Sequence, residues 1–149
     1  MLGHFPTGVT VVTSMTGDGP VGLAVGSFTS VSLDPPLVAF CPGVTSSSWP
    51  RIRDAGAFCV NVLAEDQEHV CRVFAGKADD KFEGLGWKPA AGTGAPILES
   101  VLAWIDCRIA AVHEAGDHWI VLGEVQDLDV GREAGPLVFY RGGYGKFEA

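Results

Sequence analysis

Charge is scarce in this chain, and positive charge is the scarcer kind. Ten residues are Lys or Arg against 18 Asp or Glu, a formal net charge of −8 over 149 residues. No basic patch or arginine stripe is present, which excludes the electrostatic footprint of a nucleic-acid binder and of a protein drawn to an anionic membrane. Long apolar runs are missing too: "LVAFC" and "VLAWI" fall far short of the roughly 20 residues that a membrane helix needs. The start, "MLGHFPTG", lacks a basic segment leading into an apolar core and does not read as a signal peptide. There is no CxxC pair among Cys41, Cys59, Cys71 and Cys107. Cys41, Cys59 and Cys107 lie in apolar strand-like runs, where a thiol behaves as a small hydrophobe, so reduced cysteines in a cytoplasmic protein are expected.

Motifs for self-contained catalysis are missing as well. There is no Gly-x-Ser-x-Gly elbow and no pair of carboxylates at a catalytic spacing. His113 and His118 are an odd number of residues apart, which on strands puts them on opposite faces, and nothing completes a metal set. No GxGxxG and no βαβ alternation point to a dinucleotide fold. Chemistry carried by a bound cofactor fits such a chain better.

What is present is apolar and β-rich. The chain is 47% hydrophobic and 19% charged, apolar for a small monomer, so part of its surface is expected to be covered by a second copy. The length fits one domain spanning 1–149. Strands are expected at 8–15, 21–32, 37–41 and 57–63, with a hairpin turn at 16–20. The long pair "VLAWIDCRIAAVH" and "HWIVLGEVQDLDV" follows, and a short strand with a Gly-rich tail closes the chain. Helices are expected at 46–56, where Pro50 sits in the first turn and Gly56 stops it, and at 65–76, where Val70, Val73 and Phe74 recur at helical spacing. The twenty residues between are a loop. This pattern predicts a mainly β fold, an antiparallel barrel or sandwich with a few short helices.

Four groups of residues stand out. In "VGLAVGSFTSVS", small residues at Ala24, Gly26 and Ser27 either leave the backbone open to a flat ligand or simply line a solvent-facing strand. In "CPGVTSSSW", Ser46 and Ser48 cap a helix, and the same hydroxyls suit a phosphate. In "HEAGDHWIVLGEV", Asp117 can fix the tautomer of His118, or the pair is only a polar turn. In "RGGYG", Arg141 and Tyr144 form an anion and ring clamp or a charged edge. Lys77, Lys81 and Arg72 either form a solvated face or line a phosphate.

Taken in order, "FPTGVTVVT", "SFTSVSLDPPLVAFCP", "FCVNVL", "FAG…DKFEGLGW" and "GDHWIVLGEV" resemble the flavin reductase-like family over nearly the whole chain. Within it, the chain is most similar to the small reductase components of two-component flavin monooxygenases. The resemblance implies a Greek-key split β-barrel, a homodimer with flavin near its interface, and an NAD(P)H:flavin oxidoreductase that serves a separate monooxygenase component. It places Ala24, Val25, Gly26, Ser27 and Ser30 along the ring and ribityl chain, and Ser46 and Ser48 near the flavin phosphate. Phe74 and Lys81 would belong to the loop covering the phosphate or AMP end. Gly116, Asp117 and His118 would form the nicotinamide side, with His118 positioning the ring, and Arg141 and Tyr144 would be C-terminal contacts. The flavin is FMN or FAD. No basic pair near the tail calls for a 2′-phosphate, which favours NADH over NADPH. Gly26 stands where the family commonly has Ser, and only "MLGH" precedes "FPTGV", where the family usually has a short helix. A carrier that holds flavin without turning over a nicotinamide is the alternative.

Overall fold

The computed structural model describes residues 2–78 and 80–149. After a single 3-10 turn at Leu2–His4 come β1 (Thr7–Gly8), β2 (Thr10–Thr16), β3 (Gly19–Val25), β4 (Thr29–Leu33) and β5 (Pro36–Phe40). Helix α1 (Trp49–Ala55), β6 (Ala57–Val62) and helix α2 (Glu68–Ala75) follow. Two short strands, β7 (Trp87–Pro89) and β8 (Pro96–Leu98), precede the long hairpin of β9 (Ala103–Ala115) and β10 (His118–Val130). The chain closes with β11 (Leu137–Tyr140) and β12 (Gly143–Lys146).

Seven strands form one antiparallel sheet in the order β3-β2-β6-β9-β10-β5-β4. The sheet curls on itself: Val12, Val21, Val25, Val38, Phe40, Phe58, Val60, Cys107 and Val121, from six of its strands, meet in one buried cluster. Trp49 and Ile52 of α1 plug that interior. The pleat sends the next residue of β2 the other way, so Val11 packs outside the barrel with Val9, Leu63 and the buried face of α2. Both faces of β2 are therefore covered, which is why "TVVTSM" reads as a continuous run rather than an alternation.

The fold expectation holds: this is a mainly β split barrel, with two short α-helices among the described residues. Three local readings need correction. The segment 21–32 is two strands, broken at 26–28, because Gly26 to Phe28 leave β2 and cross to the other edge of the sheet. The Gly-rich tail is a hairpin, turned by Arg141 at φ 51° and Gly142 at φ 77°. The loop after α2 contains the β7–β8 hairpin. That hairpin is stapled to the barrel by buried Asn61, whose Nδ2 donates to Pro96 O at 3.3 Å and whose Oδ1 accepts from Leu98 N at 2.9 Å. On α2 the buried face is Val70, Cys71 and Phe74, whereas Val73 is exposed.

Candidate functional site

Strand β3 is an edge strand, so alternate backbone groups along it have no partner strand. Two cavities lie along it. The first, about 240 Å³, is polar and bounded by Pro20–Gly22, Ser47, Ser48, Arg51, Lys77 and Lys81. The second, about 200 Å³, is mostly apolar and bounded by Thr7, Gly8, Ala24–Gly26, Cys71, Phe139 and Tyr144, among others. At about 3.3 Å per residue, Val21 and Val25 stand about 13 Å apart, which sets the spacing of the two cavities along the strand.

The polar cavity gathers cations and hydroxyls in an otherwise acidic chain. Ser46 Oγ accepts from Trp49 N–H at 3.2 Å, so Ser46 is occupied in starting α1, while Ser48 makes no side-chain cap bond. Since α1 has only seven residues, the attraction for an anion comes from Arg51, Lys77 and the serines rather than from a helix end. Lys81 is half-buried, and its ammonium donates to Phe74 O at 3.1 Å and Gly22 O at 3.4 Å. Burial lowers its pKa. It therefore pins the loop after α2 to β3 and adds its charge to the cavity from behind.

The apolar cavity has no charged lining. Thr7 Oγ1 is buried at its edge with no hydrogen-bond partner among the described residues. A Cβ on Gly26 would stand 3.2 Å from that oxygen, so the missing side chain at 26 is what leaves this corner open. Both features fit a flat heteroaromatic ring that brings its own polar atoms. Tyr144 forms one wall, with Phe139 edge-on to it at 5.2 Å between ring centres.

The remaining expected residues are placed as follows. Ser27 Oγ accepts from Cys41 N–H at 2.8 Å, tying the 26–28 crossing to the end of β5. Segment 41–43 then leads to the β9–β10 turn: Pro42 O accepts from Trp119 N–H, and Gly43 bridges His118. Gly116 makes that turn at φ 67°. His118 Nδ1 lies 2.8 Å from Asp117 Oδ1, and the contact with His118 lowers the Asp117 pKa. Arg53 lies 5.1 Å over the Trp119 ring, fastening the same turn to α1. Thus Ser27 and His118 flank one three-residue segment, while neither His118 nor Asp117 borders the two cavities. Ser30 is exposed on the outer edge strand β4. Arg141 is exposed in the last turn, its N–H donating to Gly3 O at 2.8 Å.

Phe74 is corrected from a cofactor contact to a core residue. It is buried against Phe82, and a Cβ on Gly22 would lie 2.8 Å from its ring. Part of the small-residue character of β3 therefore serves to receive α2. Arg72 likewise lies away from the polar cavity: it pairs with Glu68 at 2.7 Å and sits 4.9 Å over the Tyr144 ring. Residue reading passed over Thr7 and Arg51. Thr7 stood inside "FPTGV" with no signal of burial, whereas Arg51, three residues after Ser48, was detectable by helical spacing.

Residues 2–148 match the family described as flavin reductase like domain, and the chain belongs to that family. A flavin reductase of Pseudomonas putida is 57% identical over 150 residues, covering 100% of this chain and 88% of that one. The crystal structure of a nitrilotriacetate monooxygenase component B homologue from Mycobacterium thermoresistibile superposes with a TM-score of 0.95 at 48% identity, covering 99% of this chain and 83% of that one. An NADH:FAD oxidoreductase of Streptomyces globisporus, in complex with NAD and FAD fragments, gives 0.93 at 39% identity over 99% of this chain and 88% of that one.

Proposed function

We propose that this protein is an NAD(P)H:flavin oxidoreductase that passes reduced flavin to a separate monooxygenase component. The observation that carries the reading is the pairing of a cationic and an apolar cavity along one edge strand. Bound flavin supplies the two-electron acceptor for hydride from a nicotinamide; the protein supplies placement. Ser48, Arg51 and Lys77 hold the phosphate end, with Lys81 contributing charge and Ser46 shaping the serine loop. Ala24, Val25, Gly26 and Ser27 offer backbone groups to the ring. Tyr144 covers it, and Arg141 lies on the same hairpin. Gly116, Asp117 and His118 form the nicotinamide side, His118 orienting the ring through the 41–43 segment. Ser30 and Phe74 have no direct contact in this account. The site therefore works by bringing two rings to contact distance, which requires orientation rather than an acid or base in the protein.

The relatives support the partner and cofactor: one is a monooxygenase component and another an NADH:FAD oxidoreductase. NADH is the expected reductant, and the flavin is FMN or FAD. The protein is a single-domain cytoplasmic homodimer. The dimer is supported by exposed Leu33, Leu128 and Val130 on the sheet. No helix among the described residues is long and apolar enough to cross a membrane. The test is anaerobic mixing of protein, NADH and either flavin, following loss of the oxidised flavin absorbance. Rapid loss with NADH and slow loss with NADPH is expected. No loss with either nucleotide overturns the reading.

A further inference from the structure

Tyr144 is a wall of the apolar cavity, yet its own backbone does little to hold it. It lies on β12, which pairs only with β11, and its neighbours are Gly142, Gly143 and Gly145. An edge strand so rich in glycine is free to move, because glycine loses the most conformational freedom on ordering. The ring is instead fixed from α2. Cys71 Sγ lies 3.3 Å from Tyr144 Oη. The Arg72 guanidinium covers the ring face at 4.9 Å, and Glu68, one turn earlier, holds Arg72 at 2.7 Å. Phe139 closes the ring edge.

We propose that Cys71 and Arg72 are positioning residues: together they clamp Tyr144 as the wall of the cavity that receives the flavin ring. The clamp rests on the oxidoreductase reading. It deepens that reading by making α2, whose Cys71 also borders that cavity, a determinant of flavin affinity. The chemistry suits the task. A cation over a phenol restrains the ring without needing a buried charge, and a thiol is a soft, uncharged partner for the hydroxyl. The Cys71 contact also raises the Tyr144 pKa, which favours the neutral phenol. A ring free to swing would leave the cavity open on one side and weaken flavin binding, while the nicotinamide side at His118, which borders neither cavity, would be unaffected.

The test uses the full chain with Arg72→Met, Arg72→Lys, Cys71→Ala and, as a spectroscopic background, Tyr140→Phe. That last change leaves Tyr144 the only tyrosine, since the chain has two. The KM for flavin at saturating NADH is expected to rise about three- to fivefold in Arg72→Met and Cys71→Ala. The flavin Kd, read by fluorescence quenching, rises in step, the KM for NADH at saturating flavin stays within about twofold of the parent, and Arg72→Lys restores most of the loss. Ultraviolet titration of Tyr144 is expected to shift to lower pH in Cys71→Ala and to higher pH in Arg72→Met. An unchanged flavin KM in both variants overturns the proposal. So does a rise in the flavin KM accompanied by an equal rise in the NADH KM and no rescue by Lys. If the parent protein oxidises no NADH with either flavin, the oxidoreductase reading has failed; the phenol titration then decides the clamp alone, and an unmoved midpoint overturns it.

Discussion

A Cβ on Gly123 would overlap the Phe58 ring and stand 3.1 Å from Cys107 Cβ. Phe58 is fully buried in the barrel interior, so the ring has nowhere to retreat. Gly123→Ala is therefore expected to destabilise the protein by about 1–3 kcal/mol, measured by urea unfolding. Asp106 is a second residue with a definite consequence. It is fully buried; Thr93 Oγ1 donates to its Oδ1, and Oδ2 has no partner among the described residues. Burial raises its pKa, Asp127 adds to the rise, and Thr93 and Arg108 oppose it. The folded state thus holds this proton more tightly than the unfolded chain does. The resulting stability is complete below the ordinary carboxylate range and is lost as pH climbs through the raised folded value. Asp106→Asn removes this dependence, so its melting temperature relative to the parent is expected to climb between that range and neutrality. Parallel melting curves for the two proteins across that interval would contradict the assignment. None of this was visible in "AWIDCRI", where Asp106 reads as an ordinary polar position of a strand.

At the scale of elements, the β7–β8 hairpin is tied to the barrel by two side chains, Asn61 and Thr13, whose Oγ1 donates to Pro96 O at 2.6 Å. Asn61 Nδ2 donates to Val11 O, Thr13 Oγ1 and Pro96 O, and its Oδ1 accepts from Leu98 N–H. Asn61→Ala leaves the buried Leu98 N–H without its side-chain acceptor, at about 1–3 kcal/mol. Limited proteolysis within 77–98 is expected to accelerate well before global unfolding; an unchanged cleavage rate would show that the hairpin is held otherwise. Elements whose ends carry local chemistry were legible from the sequence. Pro50 and left-handed Gly56 at φ 76° bracket α1 as expected, and the 16–20 turn and the β9–β10 pair fall where alternation put them. Elements set by distant contacts were not. The break at 26–28 exists because the chain crosses to the other sheet edge, and β8 exists because Asn61 captures it. Phe74 was misplaced for the same reason: its partner Gly22 lies 52 positions away in the chain, beyond any local pattern.

For the whole molecule, the low charge content and exposed Leu33, Leu128 and Val130 predict a dimer that persists on dilution, with Leu128→Asp favouring monomers. Sedimentation velocity decides this: a parent protein that is monomeric at micromolar concentration would remove the support for a shared interface. The candidate site was legible in part. Ala24–Gly26 and Tyr144 do meet at one cavity, and Ser48 and Lys81 at another. His118 stands apart from both, linked through 41–43, because the turn that carries it docks on that segment. The most direct test of the whole account is NADH oxidation by the protein alone and then with added FMN or FAD. The account predicts turnover that appears only with added flavin, which means flavin is taken up, reduced and released. Stoichiometric flavin binding with no NADH oxidation would contradict it and leave the barrel a carrier.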